Sequence, residues 1–214
     1  MDNTKRKKTL LGVALTAAFG ALTVLFAFTR LGMIPWFSGA SITILHVPVI
    51  LCTLIAGIWA GSGVGLIFGV SSLILAATQG TGLDLYFVNP LISVLPRLLI
   101  APAVYFSFLG FKKISSKTKF FPMALSYALA AFIGTITNSF FVLGALVLSG
   151  AISAEIMFTV LFSNTLLEAA AAVIICVAVM VVIDTTVASR NKKSKLSKLD
   201  DNAESDKTSA SSAK

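Results

Sequence analysis

From Leu31 to Gly82 the chain carries no Asp, Glu, Lys or Arg, and that stretch decides what it can become. A soluble domain carries about 25% charged residues. This chain has 12%, with 57% hydrophobic residues and a mean hydropathy of +0.93. The bilayer is therefore its solvent. A helix crosses about 30 Å of hydrocarbon with roughly 20 apolar residues, so the uncharged stretch is too long for one crossing and has to fold back within the membrane.

Charges and turn formers cut the apolar sequence into Thr9–Thr29, Ser41–Ile58, Ser62–Ala77, Pro90–Phe111, Pro122–Leu148 and Ile156–Ile183. These runs predict an all-α integral membrane fold, a bundle of six transmembrane helices. The second and third runs are separated only by Trp59, Ala60 and Gly61, which predicts a tight hairpin. The expected organisation is a basic amino terminus over residues 1–8, a membrane domain over 9–188 and a tail over 189–214. Thr9–Phe28 follows basic residues as a signal peptide does, but its apolar stretch is too long, so it is expected to be a retained first helix. The tail is rich in Ser, Lys, Asp and Ala, lacks the large apolar side chains of a core, and is expected to be disordered.

Of the 17 basic residues, 13 fall in three clusters: Lys5 to Lys8, Lys112 to Lys119, and Arg190 to Lys198. Clusters beside apolar spans set orientation, with the positive side in the cytoplasm. Six crossings put all three clusters inside, so both termini of this multi-pass membrane protein are expected in the cytoplasm. The positive charge is thereby explained without nucleic acid as a partner. Both cysteines, Cys52 and Cys176, lie inside apolar runs, where they serve as small hydrophobes.

An ionisable side chain at membrane depth costs several kcal/mol unless it is paired or faces a cavity. Two stand out, Arg97 and Glu168. At 1.5 Å per residue they lie about 10 Å and about 18 Å below the expected outer surface. Asn164 shares a helical face with Glu168 at i and i+4, and Asn138 lies about 15 Å deep with Thr135 and Thr137 beside it. These polar groups concentrate in the outer half of the membrane. That suits a blind, outward-facing pocket better than a channel, which needs polar lining along its whole length. The other reading is that Arg97 and Glu168 pair to lock two helices together while the amides bond between helices.

His46, the single histidine, precedes Pro48 near the outer end of the second run and is either a hydrogen-bonded helix-end residue or a ligand contact. One His with no acidic pair nearby assembles neither a zinc site nor a hydrolytic triad. Trp36 in the first outer loop is either an interfacial anchor or part of a lid. Asp84, Tyr86 and Asn89 in the next outer loop are loop, helix-cap or ligand residues.

Ala14, Ala17, Ala18 and Ala21 form two interleaved small-xxx-small pairs on the first helix, and Gly57, Gly61, Gly65 and Gly69 form a second ladder. Such spacing lets another helix approach closely. No G-x-x-x-x-G-K-[ST] phosphate loop is present, so the chain is not expected to be an ATPase or any other enzyme, and no catalytic residue, metal or cofactor is assigned. Uphill movement of a solute would need energy from a partner.

Three runs carry a resemblance: His46-Val-Pro-Val-Ile50, Asn89-Pro-Leu-Ile-Ser-Val-Leu-Pro-Arg97, and Gly134-Thr-Ile-Thr-Asn138 followed by Val142-Leu-Gly144. Together they resemble the substrate-binding S component of energy-coupling factor (ECF) vitamin transporters, over nearly all of Thr9 to Ile183. The resemblance implies capture of a vitamin from outside. It also implies partnership with a transmembrane coupling subunit and two cytoplasmic ATPase subunits. It places the coupling contact on Ala14, Ala17, Ala18 and Ala21, and the vitamin among Arg97, Asn138, Asn164 and Glu168, with Trp36, Asn89 and His46 as further candidates. An arginine suits a carboxylate and the asparagines suit hydroxyl and amide groups, a combination that favours pantothenate over riboflavin, folate or a pyridoxine-like ligand. An autonomous carrier or channel, or a membrane scaffold, are the other classes open to such a chain.

Overall fold

A computed structural model describes residues 3–29, 33–35, 41–117 and 122–212. The described residues form seven α-helices: α1 (Asn3–Thr29), α2 (Val47–Ala56), α3 (Ile58–Gln79), α4 (Pro90–Ser93), α5 (Leu95–Lys117), α6 (Met123–Leu148) and α7 (Ala154–Ser212). A small hairpin, β1 (Met33–Pro35) and β2 (Ser41–Thr43), pairs antiparallel with Met33 opposite Thr43. A 3₁₀ helix, Gly82–Val88, leads into α4. Five helical segments are long and apolar enough to cross a membrane: Thr9–Thr29, Ile58–Gln79, Pro90–Ser115, Met123–Leu148 and Ala154–Arg190. Large side chains such as Phe106, Phe162 and Ile174 point outward at 65%, 67% and 69% exposure. Water would penalise such a surface, whereas hydrocarbon accepts it.

The expected second crossing, Ser41–Ile58, has a different form. Ser41–Thr43 is committed to the hairpin, and α2 has only ten residues. At 1.5 Å per residue it is about 15 Å long, half the thickness of the hydrocarbon. Pro48 sits in its first turn, where a missing N–H costs nothing. Gly57 ends it with φ +90°, a conformation that favours glycine. The break therefore falls at Gly57 rather than at residues 59–61. Every residue from Val47 to Thr53 is buried, so α2 is apolar all round and forms the pillar of the core. It packs against α1, α3, α5 and α6, and Val64 of α3, Ile100, Ala101 and Val104 of α5, and Ala130 and Ala131 of α6 are fully buried.

Glycines set how close the helices come. Side-chain space at Gly61 is taken by Thr53 of α2, at Gly65 by the backbone of Arg97, and at Gly69 by the backbone of Ser93 and Val94. As the position on α3 advances, its neighbour on α4 and α5 recedes, so α3 and α5 run antiparallel. Gly20 seats Ile67 and Gly63 seats Thr16, contacts that advance together and make α1 and α3 parallel. Gly134 of α6 receives Val104 and Ile50, and Tyr127 stacks on Phe108 with ring centroids 5.4 Å apart, which makes α5 and α6 antiparallel. The start of α1, with its lysines, and the end of α5, with Lys112 and Lys113, accordingly share one end of the bundle.

The chain divides into two compact units, Met1–Val177 and Ala178–Lys214. The first contains all the packing described above. The second is helical through Ser212. No Gly or Pro follows Gly150, and Lys, Ala, Leu and Glu favour helix, so nothing local stops α7.

The close approach at Gly65 gives a direct test. Gly65→Leu drives carbon into the Arg97 backbone and should lower the unfolding midpoint in detergent strongly, at a cost of about 1–3 kcal/mol or more. Gly110→Ala, where the added carbon meets nothing, should be neutral or stabilising by up to about 1 kcal/mol. Equal thermal unfolding curves for the two variants would remove the glycine ladder from the packing argument.

Candidate functional site

The run from Asn89 to Arg97 builds one wall of a cavity. Asn89 caps α4, its side-chain oxygen accepting from the Leu91 N–H at 3.0 Å, and Pro90 fills the first turn. Pro96 has no N–H to give to the carbonyl of Ile92, four residues back. That orphaned carbonyl accepts instead from Nη1 of Arg97 at 2.7 Å. The guanidinium also lies over two rings, with its central carbon 5.2 Å from the centroid of Phe68 on α3 and 5.1 Å from that of Phe87 in the 3₁₀ helix. Both are within cation–π range. Phe87 is held in turn because its carbonyl accepts from Ser93 Oγ. Arg97 is only 7% exposed, and its Nε has no partner among the described residues.

Glu168 belongs to a separate cluster. Its Oε1 accepts from the Thr43 N–H at 2.7 Å and from the Thr43 hydroxyl at 2.8 Å, with the Asn164 amide at 3.5 Å. Its Oε2 has Ser139 Oγ at 3.5 Å. Thr43 is the last residue of β2, so the carboxylate ties the hairpin to α7. It is 4% exposed. No ion pair joins Arg97 to Glu168 among the described residues, since the carbonyl and rings around the one and the hydroxyls and amides around the other share no member.

Between these clusters is a cavity of about 580 Å³, a volume typical of small-molecule sites. Arg97, Asn138, Ser139, Asn164 and Glu168 supply polar lining, and Phe68, Phe87, Leu143 and Val160 supply apolar lining. The residues come from the later half of α3, the start of α5, the later half of α6 and the first part of α7, with Thr43 and Leu45 ahead of α2. All of them lie at the end of the bundle away from Lys112 and Lys113. Asn138 Oδ1 is buried there without a partner among the described residues.

Four of the expected site residues, Arg97, Asn138, Asn164 and Glu168, thus meet around one cavity. His46 does not line it. It is fully buried, and its Nε2 lies 3.0 Å from Thr135 Oγ1, linking α2 to α6. Asn89 is occupied as a helix cap, Asp84 stands at the rim, and Trp36 lies outside the described residues. Sequence reasoning missed Thr43, Phe68, Phe87 and Ser139. A hydroxyl or a phenyl ring in an apolar run is ordinary, and only Ser139 had a pointer, its neighbour Asn138.

On α1, Thr16, Gly20, Thr23 and Ala27 turn inward: Thr16 and Gly20 meet α3, and Thr23 and Ala27 are buried. Ala14, Ala17, Ala18 and Ala21 are all exposed.

Residues 5–183, which include every residue of the cavity and nearly all of the membrane region, match the family described as ECF transporter, substrate-specific component. The chain is also 30% identical over 151 residues to the pantothenic acid transporter PanT of Lactococcus lactis subsp. cremoris (strain MG1363), a match covering 64% of this chain and 72% of that protein. A buried polar cavity at one end of an apolar bundle is what such a subunit requires, and the chain belongs to the substrate-specific components of ECF transporters: a multi-pass protein of the bacterial plasma membrane that binds a vitamin for transport and is not an enzyme.

Proposed function

We propose that this subunit captures pantothenate from outside the cell and delivers it through a coupling subunit driven by two cytoplasmic ATPases. The observation that carries the reading is Arg97, nine-tenths buried against the cavity with two aromatic rings, a carbonyl and, among the described residues, no carboxylate in contact. A buried cation of this kind is costly until an anion reaches it. The carboxylate of pantothenate supplies that anion, and its hydroxyl and amide groups suit Asn138, Asn164 and Glu168. The name of the Lactococcus relative supports the same vitamin.

Orientation follows from charge. The lysines at the start of α1 and the end of α5 share one end of the bundle, and the positive-inside rule assigns that end to the cytoplasm. The cavity then faces outward. Five long helices and the short α2 make six membrane segments with both termini inside. Because α2 is enclosed by protein, its length need not match the bilayer. The outward alanine face of α1 is the surface for the coupling subunit, since small side chains let a second helix come close.

Mass spectrometry of the gently purified protein should find pantothenate. Finding no vitamin bound, and none binding from a panel, would overturn the reading. Arg97→Ala should weaken pantothenate binding by about 10- to 100-fold, the range for a hydrogen bond to a charged group. The alcohol analogue panthenol, which lacks the carboxylate, should lose little. Equal losses for the two ligands by calorimetric titration would make Arg97 a structural residue. A double substitution, Ala14→Leu with Ala18→Leu, should abolish co-purification with the coupling subunit and leave pantothenate affinity unchanged. Loss of affinity would instead place that face within the bundle.

A further inference from the structure

The two oxygens of Glu168 have unequal surroundings. Oε1 takes two donors from Thr43 at 2.7 and 2.8 Å, both well-formed hydrogen bonds by distance. Oε2 has only Ser139 at 3.5 Å, near the limit at which a side-chain contact counts as a hydrogen bond. A carboxylate accepts about four. Asn138 Oδ1, adjacent in sequence to Ser139, is buried with no partner among the described residues. Unfilled acceptors buried this deeply require donors. Among the described residues the groups facing Glu168 are Thr43 from the hairpin, Ser139 from α6 and Asn164 from its own helix, and none of them is a cation. Arg97 keeps to its own ring-lined corner.

Resting on the pantothenate reading, we propose that Glu168 determines specificity at the end of the ligand away from Arg97: Oε2 accepts from a ligand hydroxyl, and its charge turns away any ligand bearing a second anion there. Oε1, latched to Thr43, holds the carboxylate in place so that Oε2 presents its lone pairs to the cavity. With the ligand carboxylate on Arg97, the hydroxyl end of pantothenate reaches Glu168. The cavity thereby distinguishes the vitamin from the phosphate ester of its terminal hydroxyl. In that ester a donor is replaced by an anion beside a buried carboxylate, and like charges at low dielectric repel strongly.

The test is competition binding on the full chain with three ligands: pantothenate, its analogue with hydrogen in place of the terminal hydroxyl, and the phosphate ester. For the unaltered protein the deoxy analogue should bind about tenfold or more weaker, the loss expected for a hydrogen bond to a charged acceptor. The ester should not compete even at about 100-fold excess, because it loses the donor and gains repulsion. Glu168→Gln keeps an oxygen for Thr43 and removes the charge, so affinity for the ester relative to pantothenate should rise about tenfold or more. Comparable binding of all three ligands by the unaltered protein overturns the proposal, as does a Gln variant that weakens pantothenate and the ester equally. If the variant does not fold, the deoxy comparison on the unaltered protein decides. Absence of pantothenate binding by the unaltered protein is a separate result, which overturns the functional reading and this inference together.

Discussion

The contact between Gly65 and the backbone of Arg97 is the constraint from which the cavity follows. At Gly65 and Gly69 the space a side chain would occupy belongs to the backbone of α4 and α5, so α3 lies directly on the segment that carries the cation. Phe68, less than one turn beyond Gly65, then reaches the guanidinium. Pro96 completes the arrangement by leaving the Ile92 carbonyl free for Nη1. The position of the charge is thus set largely by absences: a missing Cβ on one helix and a missing N–H on another. Neither absence costs much in a bundle whose helices are held mainly by packing.

The shortness of α2 leaves the space that the cavity occupies. A full-length helix in that central position would fill the bundle from end to end. Instead α2 occupies the half nearer the basic end, where Thr53 meets Gly61 and Ile50 meets Gly134, and His46 ties its start to Thr135. Beyond His46 the chain turns into β2, and the space that a longer helix would have taken is the cavity, with Thr43 and Leu45 in its wall. Seven consecutive buried residues from Val47 to Thr53 close the lower end.

Much of this was legible in the sequence, because hydrocarbon imposes simple rules. Apolar runs of crossing length, charges at their ends and four polar side chains at similar depth were enough to gather Arg97, Asn138, Asn164 and Glu168 before any coordinates. The second run takes a form that hydropathy does not reveal, because hydropathy records solvent preference and not backbone geometry. Ser41–Thr43 is apolar enough for a helix, yet it pairs as a strand, and the break at Gly57 depends on a positive φ that composition does not reveal. The pairing of Arg97 with Glu168, the simplest way to neutralise two charges in a membrane, fails for a reason of the same kind. Each finds nearer partners, rings and a carbonyl for one, hydroxyls and backbone N–H for the other, supplied by Phe68, Phe87 and Thr43, which look ordinary in sequence.

Keeping the two charges apart has an energetic consequence for any ligand. Had Arg97 and Glu168 formed an ion pair, an incoming anion would have had to displace a carboxylate already in contact, gaining little. A bare guanidinium would have made the empty protein unstable instead. The observed arrangement lies between these extremes. One carbonyl and two aromatic faces make the empty cavity tolerable, yet they leave the positive charge uncancelled, because a ring quadrupole and a carbonyl dipole stabilise a cation without neutralising it. Thr43 does the same for Glu168 through two neutral donors. The cavity is therefore pre-organised, its charges held in place before a ligand arrives, and an entering anion meets a cation whose orientation has already been fixed.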